Sequence, residues 1–370
     1  MEGSTNNELG NPITCKKTQE CGTIQQLLQQ RRGFDGKLTL PADYESKLDL
    51  LETEVALKKI KDYFERSLAY ELHLTRVSAP LFVQPETGLN DNLNGIEQPV
   101  SFSLKDSNTR VEIVHSLAKW KRNALKRYRF SCGEGLYTDM NAIRKDEQLD
   151  NLHSVYVDQW DWEKIIKKED RTEEKLKQIV KRIYKVFKST ENFITFEYKN
   201  LEGPFLPEEI AFITTQQLED RFGHLSPKER EDAIAREQGA VFIQKIGGKL
   251  KSGIKHDGRA PDYDDWELNG DIVFYYPLLD ISFEMSSMGI RVDEKSLHLQ
   301  LLEEDCLDRL EMPYHQDLMS GNLPYTIGGG IGQSRICMFF LQKAHIGEVQ
   351  ASIWPQKMMT ECEKQGIALL

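Results

Sequence analysis

A glycine-rich segment that runs directly into an apolar helix constrains the fold of this chain most. Four glycines between residues 326 and 332 let another group approach the backbone closely, and the spacing predicts an apolar helix over 335–341. Arg335, at the opening of that helix, offers a planar fork for a phosphate group. The segment is not a P-loop, because no Gly-Lys-Ser/Thr follows, and it lacks the Gly-x-Gly-x-x-Gly dinucleotide fingerprint. We therefore expect a strand–helix junction of another kind.

Apolar spacing along the rest of the chain predicts long helices and short strands. One long helix is expected over 44–72 and another over 163–193, while Ser226, Pro227 and Glu229 form a complete start signal for a third. Strands are predicted at 74–83, 111–114, 153–161, 240–246, 271–279 and 281–291. Strands that follow one another, with helices grouped at the ends, predict an α+β fold with a central antiparallel sheet flanked by helices.

Charge and composition limit the partners and the compartment. The 370 residues include 48 Lys+Arg against 59 Asp+Glu, a formal net charge of −11, which disfavours binding to nucleic acid or to an anionic membrane. No apolar run approaches the roughly 20 residues that a membrane-spanning helix needs. The first residues also lack the basic and apolar regions of a signal peptide. We expect a cytoplasmic protein with no nucleic-acid or membrane partner.

The domain organisation is simple. The first 43 residues are polar and rich in turn signals, which predicts a loosely ordered extension ahead of one folded domain over 44–370. Six cysteines without a C-x-x-C pair favour free thiols over a zinc site or a dense disulfide framework.

Two further segments concentrate polar residues that a scaffold has no reason to bury. Residues 133–147 form a strand that leads to Arg144 and several acids, which alone could be a surface ion-pair loop worth at most about 1 kcal/mol. The loop 255–266 is dense in acids and is joined by Asp271 and Glu284. Crowded carboxylates repel one another unless a cation or a substrate ammonium neutralises them. Mg²⁺ on ATP phosphates is one interpretation, and a solvated acidic loop is the other.

These segments together resemble a known group of proteins. A helix and strand ending at Pro80, a strand followed by Arg144, and a glycine strand followed by Arg335 resemble the three motifs of class II aminoacyl-tRNA synthetases. Within that group, several strings resemble ammonia-dependent asparagine synthetases, the AsnA-type aspartate–ammonia ligases, from about residue 50 to the C-terminus. They are HSLAKWKR from 115, GEGLYT from 133, HSVYVDQWDWE from 153, RAPDYDDW from 259 and SSMGIRV from 286.

The resemblance implies a homodimer on a class II synthetase core. The implied reaction converts L-aspartate, ammonia and ATP to L-asparagine, AMP and diphosphate through a β-aspartyl-adenylate. The implied ATP site consists of Arg144 and Arg335 as phosphate clamps, Gly330 and Gly332 beside the nucleotide, and Asp271 and Glu284 as ligands of Mg²⁺.

The resemblance also implies an aspartate site and an ammonium site. The residues implied for aspartate are Ser116, Gln159, Asp161, Asp264 and Ser286, with Lys121 and Arg291 to hold its carboxylates. Asp91 lies in an Asn-Asp-Asn-x-Asn-Gly turn that alone is ordinary turn chemistry. It is the candidate to meet ammonium and take its proton, because a carboxylate beside the acyl carbon can attract the cation and act as base. Met1-Glu2 and a first cysteine at Cys15 provide no N-terminal cysteine nucleophile, so free ammonium is the expected donor.

Two departures and two alternatives accompany this interpretation. The extension of about 40 residues has no counterpart in the bacterial enzymes, and only Glu267 remains between Trp266 and residues 268–271, where they carry a longer loop. An aspartyl- or asparaginyl-tRNA synthetase would share the adenylating core, but the extension is too short for an anticodon-binding barrel. A non-catalytic synthetase-like binding protein could lose the phosphate arginines and the acidic residues, which are all present here.

Overall fold

A computed structural model describes residues 38–91 and 97–370. The helices are α1 (Leu50–Leu72), α2 (Ala118–Arg127), α3 (Glu173–Glu197), α4 (Thr215–Phe222), α5 (Pro227–Gln238), α6 (Glu294–Glu303), α7 (Pro313–Met319), α8 (Gln333–Phe340) and α9 (Gln356–Lys364). The strands are β1 (Leu74–Arg76), β2 (Phe82–Val83), β3 (Ser101–Ser103), β4 (Arg110–Ile113), β5 (Gly135–Ile143), β6 (Tyr156–Ile165), β7 (Ala211–Thr214), β8 (Ala240–Gln244), β9 (Asp264–Tyr276), β10 (Ile281–Arg291) and β11 (Thr326–Gly332). Most of the extension predicted over 1–43 lies outside the described residues. None of the helices in the described part combines the length and apolar character needed to cross a bilayer.

A mixed eight-stranded sheet forms the centre of the fold. Its order is β1-β5-β6-β11-β10-β9-β8-β7. The six inner strands pair antiparallel, whereas β1 runs parallel to β5 and β7 runs parallel to β8 at the two edges. The predicted α+β fold with a central antiparallel sheet is confirmed, with a parallel pair added at each edge. A small separate sheet has the order β2-β4-β3.

The two faces of the central sheet have different roles. In β6, Trp160 and Trp162 enter the hydrophobic core, and Trp160 stacks on Phe64 of α1 with ring centroids 5.1 Å apart. Because side chains alternate along a strand, Gln159 and Asp161 lie on the opposite face, as the sequence predicts. The largest hydrophobic cluster lies on one face of the sheet, whereas the other face carries polar groups at its centre and a smaller apolar cluster around Val241 and Val273 near one edge.

The second long helix begins ten residues later than predicted. Residues 163–165 complete β6 instead, and α3 begins after Thr172, whose hydroxyl accepts a hydrogen bond from the Lys175 backbone N–H. Glu163 pairs with Gly328 of β11, where the absence of a side chain makes room for a buried carboxylate. Strand pairing between distant residues therefore decides the conformation of a segment whose local sequence is also compatible with a helix.

Local capping signals explain where two other helices begin, whereas one strand begins well before its predicted position. Helix α5 begins at Pro227 with the predicted capping box between Ser226 and Glu229. Helix α1 begins at Leu50 rather than at residue 44, because Asp49 caps it and forms its own capping box with Glu52. Strand β9 begins seven residues before the predicted strand at 271.

Candidate active site

A cavity of about 360 Å³ opens on the polar face of the sheet. It gathers residues predicted from distant parts of the sequence: Asp91, Ser116, Lys121, Arg144, Gln159, Asp161, Asp264, Glu284, Ser286, Arg291, Gly330, Gly332 and Arg335. Asp271 is the candidate that does not line it. Its Oδ1 atom accepts a hydrogen bond from Nη2 of Arg259, a cavity residue, at 2.7 Å.

The floor of the cavity depends on the absence of a side chain at Gly330. This residue of β11 lies opposite Asp161 of β6. A Cβ atom at Gly330 would lie 2.4 Å from Gln159 Oε1 and 2.8 Å from Asp161 Oδ1. The glycine strand therefore lets two polar side chains of the neighbouring strand lie over it.

A buried network of ion pairs forms one wall. Lys121 Nζ lies 3.2 Å from Asp161 Oδ2 and donates a hydrogen bond to the Gly329 carbonyl. Arg291 donates to both carboxylate oxygens of Glu163 and to Asp264. The five charged residues are at most 2% exposed, and their three carboxylates outnumber their two cations by one.

Burial and charge act on this network in opposite directions. Burial lowers the pKa of Lys121, although the carboxylates beside it oppose the shift. Burial alone would raise the pKa of Glu163, but the Arg291 guanidinium keeps that pKa below its ordinary value. The carboxylate of Glu163 is therefore ionised and belongs to the neutralised part of the network.

A second wall is rich in arginine. Arg335 Nη1 donates a hydrogen bond to the backbone carbonyl of Glu284 at 3.0 Å and lies 3.4 Å from the Oε2 atom of the Glu284 side chain. Its Nη2 lies 3.0 Å from His153 Nε2, and because guanidinium has no acceptor, His153 accepts through that nitrogen. Arg144 Nη1 lies 3.9 Å from a carboxylate oxygen of Glu147, and the Arg144 Nε atom is buried with no protein partner. The guanidinium groups of Arg144 and Arg335 therefore retain N–H donors that can bind an anion.

The acids of β9 and β10 share a face because of a β-bulge. Glu284 pairs with Val273 and Ser287 pairs with Asp271, with a register shift between them. The extra residue in β10 brings Glu284 to the same face as Asp271. Burial, with a contribution from the Glu284 charge, raises the pKa of Asp271 although Arg259 opposes the shift. An added cation would reduce the repulsion between the Asp271 and Glu284 carboxylates.

Neighbouring side chains hold Asp91 in place, whereas residues 92–95 of the turn expected from the sequence lie outside the described residues. The Asp91 Oδ2 atom accepts a hydrogen bond from Ser116 Oγ at 2.9 Å. The Asn90 side-chain oxygen accepts from the backbone N–H groups of Asp91 and His115. His115 is buried, its Nδ1 lies 3.2 Å from the Asp91 carbonyl, and burial lowers its pKa. His115 therefore supports the backbone at Asn90 and Asp91, and Asp91 is the group that faces the cavity.

Sequence reasoning missed Arg259 and Glu163 as site residues. Arg259 contacts both Asp271 and Ser287. The sequence feature that could have identified Arg259 is its position in an acid-rich loop, where one cation can neutralise several carboxylates. Glu163 had a weaker signal, because only its pairing with Gly328 shows why a carboxylate can be buried there.

The loop that carries Arg259 and leads into Asp264 of β9 is anchored behind the cavity by Asp262. This carboxylate is fully buried, and its Oδ2 atom lies 2.9 Å from Lys119 Nζ, 2.9 Å from His315 Nε2 and 3.2 Å from Arg309 Nη1. Burial alone would raise the pKa of Asp262, but its cationic neighbours hold that pKa well below its ordinary value. The stability that this provides is present above the unfolded-state pKa of about 4 and is lost as the pH falls below it.

We expect Asp262→Asn to lower the free energy of unfolding by about 3–5 kcal/mol, because it leaves buried cations without their carboxylate. Urea unfolding measures this. Asp317→Asn is the matched control, since Asp317 pairs with Lys126 at 3.0 Å on the surface and its loss should cost about 1 kcal/mol or less. Equal losses in the two variants would show that Asp262 is no anchor.

Comparison with known proteins identifies the family. Residues 51–366 match the family model for aspartate–ammonia ligase, AsnA. The chain belongs to the aspartate–ammonia ligase family. This confirms the resemblance seen in the sequence and the prediction of a ligase.

Curated relatives and solved structures agree with this assignment. The aspartate–ammonia ligase of Ruminiclostridium cellulolyticum is 67% identical over 90% of this chain and 99% of its own length. That of Limosilactobacillus fermentum is 58% identical over the same shares. The asparaginyl-tRNA synthetase of Pyrococcus horikoshii in complex with asparaginyl-adenylate has a TM-score of 0.58 at 15% identity, over 82% of this chain and 70% of that one. The aspartyl-tRNA synthetase of Entamoeba histolytica has a TM-score of 0.55 at 12% identity, over 92% and 63%. At sequence identities this low, the similarity shows that this chain has the class II synthetase fold and does not extend to function.

Proposed function

We propose that this ligase forms L-asparagine from L-aspartate, ammonia and ATP, and releases AMP and diphosphate. A carboxylate does not react with ammonia, because hydroxide is a poor leaving group. Transfer of AMP from ATP to the β-carboxylate releases diphosphate and gives a β-aspartyl-adenylate, whose acyl carbon can expel AMP when ammonia attacks it. The observation that supports this most is a single cavity that joins an acid-rich buried network to an arginine-rich wall.

The buried network suits the amino acid. Its one excess carboxylate complements the α-ammonium group of L-aspartate. Lys121 and Arg291 are the cations available to its carboxylates, and Ser286 Oγ is buried in the cavity wall with no protein partner. Asp161, Asp264, Gln159 and Ser116 complete the proposed aspartate subsite.

The arginine-rich wall suits the phosphates. Arg144 and Arg335 provide planar donors for the triphosphate, and Arg259 adds a third guanidinium nearby. Gly330 and Gly332 of β11 line the same cavity and belong to the proposed ATP site. Adenylation is limited mainly by charge and alignment, so fixed cations around the α-phosphate lower its barrier.

Asp271 and Glu284 fit a magnesium ion bound together with ATP. Within the described residues no group of three or more His, Cys, Asp or Glu side chains is arranged for a metal. Mg²⁺ needs only one or two carboxylates when phosphates supply other ligands. Burial, with a contribution from the Glu284 charge, raises the pKa of Asp271, and this repulsion between carboxylates supports a cation there. When bound, the ion would neutralise phosphate charge.

Asp91 is the proposed base of the second half-reaction. Its carboxylate is 2% exposed and oriented by Ser116. It would attract ammonium and take one proton, which leaves ammonia to attack the acyl carbon and displace AMP.

We also propose that the enzyme acts in the cytoplasm and that it is a homodimer. Light scattering of the purified protein would test the homodimer. The exposed Leu51 and Tyr70 of α1 are compatible with a contact between copies.

We expect diphosphate and asparagine in equal amounts when purified protein is given ATP, Mg²⁺, L-aspartate and ammonium chloride. Glutamine should not replace ammonium. The assay follows diphosphate release and asparagine together, with a parallel test for aminoacylation of bulk tRNA. No asparagine under any condition would refute the proposal, and charged tRNA would favour a synthetase.

We expect Gly330→Ala to raise the KM for aspartate by about tenfold or more, because the added methyl displaces Gln159 and Asp161. Thermal unfolding should change little, since the closest clash involves the flexible end of Gln159. Gly248→Ala is the control, because a Cβ there meets nothing within 4 Å. An unchanged KM in Gly330→Ala would show that these two side chains do not form the aspartate subsite.

A further inference from the structure

Asp158 lines the cavity and has no part in the proposed chemistry. It belongs to β6, but its side chain reaches the first turn of α8. Oδ1 accepts a hydrogen bond from the Ser334 backbone N–H at 3.0 Å, and Oδ2 accepts from Ser334 Oγ at 2.8 Å. A strand residue thus satisfies a donor at the start of a helix that lies 176 positions away in the sequence.

Helix α8 has no side-chain cap of its own. Its N-cap residue is Gly332, which has no side chain to accept the free N–H groups of the first turn. A carboxylate at a helix N-terminus is also favoured by the helix dipole. Asp158 therefore takes the role that a Ser, Thr or Asp at position 332 would otherwise fill.

The Asp158 carboxylate is itself fixed from two other directions. Lys61 Nζ of α1 lies 3.2 Å from Oδ2, and Gln350 Nε2 lies 3.4 Å from Oδ1. Gln350 also donates to Ser334 Oγ at 3.1 Å. With Asp158 only 7% exposed, this cluster ties the sheet, α1 and the start of α8 together.

We propose that Asp158 is a positioning residue for Arg335. Arg335 directly follows Ser334, so the Asp158–Ser334 contacts determine where the long Arg335 side chain starts and which way it enters the cavity. Its guanidinium then reaches Glu284 and His153. The inference rests on the proposed function in one respect, that Arg335 binds ATP.

The first test separates ATP from aspartate. We expect Asp158→Ala to raise the KM for ATP by about tenfold or more, because a displacement near 1 Å can cost up to about a hundredfold. The KM for aspartate should change by less than about twofold. Asp158→Asn keeps an oxygen for the Ser334 N–H and should show a smaller effect. Equal increases in both KM values would overturn the proposal.

Ser226→Ala controls for the loss of a helix cap as such. Ser226 caps α5 through the Glu229 N–H and is not among the residues that line the cavity. We expect this variant to lose a similar amount of thermal stability with no change in the KM for ATP. A similar rise in that KM in Ser226→Ala and Asp158→Ala would overturn the proposal.

A double-mutant cycle on ATP affinity, measured by calorimetry with the full chain, tests the coupling directly. Asp158→Ala should weaken ATP binding in the wild-type background and add less than about twofold in an Arg335→Ala background. The inference would be overturned if Asp158→Ala lowered the ATP affinity by the same factor in both backgrounds, or if Arg335→Ala alone left the ATP affinity unchanged. If Asp158→Ala does not fold, Asp158→Asn takes its place. Because the readout is binding, a protein that binds ATP but forms no asparagine would refute the proposed function and leave this test valid.

Discussion

Arg335→Ala is expected to lower kcat/KM for ATP by about a thousandfold. The guanidinium lies at the opening of α8 in the cavity wall, and removal of one preorganised donor from a developing charge commonly costs about 10²- to 10³-fold. Arg335→Lys keeps the charge but loses the planar fork, so its loss should be smaller but still large. Aspartate-dependent exchange between ATP and diphosphate measures the adenylation step alone.

The matched control for this result is Arg236→Ala. Arg236 pairs with Asp280 at 2.8 Å and does not line the cavity, so its removal should leave the exchange rate unchanged. A loss of less than tenfold in Arg335→Ala would contradict the assignment of this arginine to the phosphates. A loss as large in Arg236→Ala would indicate general damage to the fold.

Asp91→Asn is expected to separate the two half-reactions. Asparagine formation should fall by about a hundredfold or more, because general base catalysis is worth about 10²- to 10⁴-fold. The exchange of ATP with diphosphate should remain within a few-fold of wild type, since adenylation does not use this base. The amide oxygen can still accept the Ser116 hydrogen bond, so the side chain at position 91 should keep its place. The measurement compares exchange with asparagine yield over a range of ammonium concentrations.

Asp146→Asn is the control, because Asp146 pairs with Lys145 on the surface. It should leave both half-reactions unchanged. If exchange and asparagine formation fall together in Asp91→Asn, the residue supports aspartate binding rather than ammonia. If neither falls, the base is another group of the cavity.

The order of the elements and most members of the site follow from the sequence. The glycine strand, the apolar helix after it and the capping box at Ser226 are local patterns, and each forms as predicted. The family resemblance assigned Arg144 and Arg335 to ATP and Asp91 to ammonium, and the structure brings all three to one cavity. Such signals work because capping, periodicity and glycine content depend on residues a few positions apart.

Contacts between distant residues decided the rest. Residues 163–165 became strand because Glu163 finds room opposite Gly328, and Asp271 contacts the cavity residue Arg259. The cap on α8 comes from Asp158, on a strand far from it in sequence. Register, burial and charge pairing exist only once the sheet is assembled, because they depend on which distant side chains are brought together. The sequence by itself determined the chemistry available to this protein, and the tertiary structure decided which groups neutralise, support and orient one another.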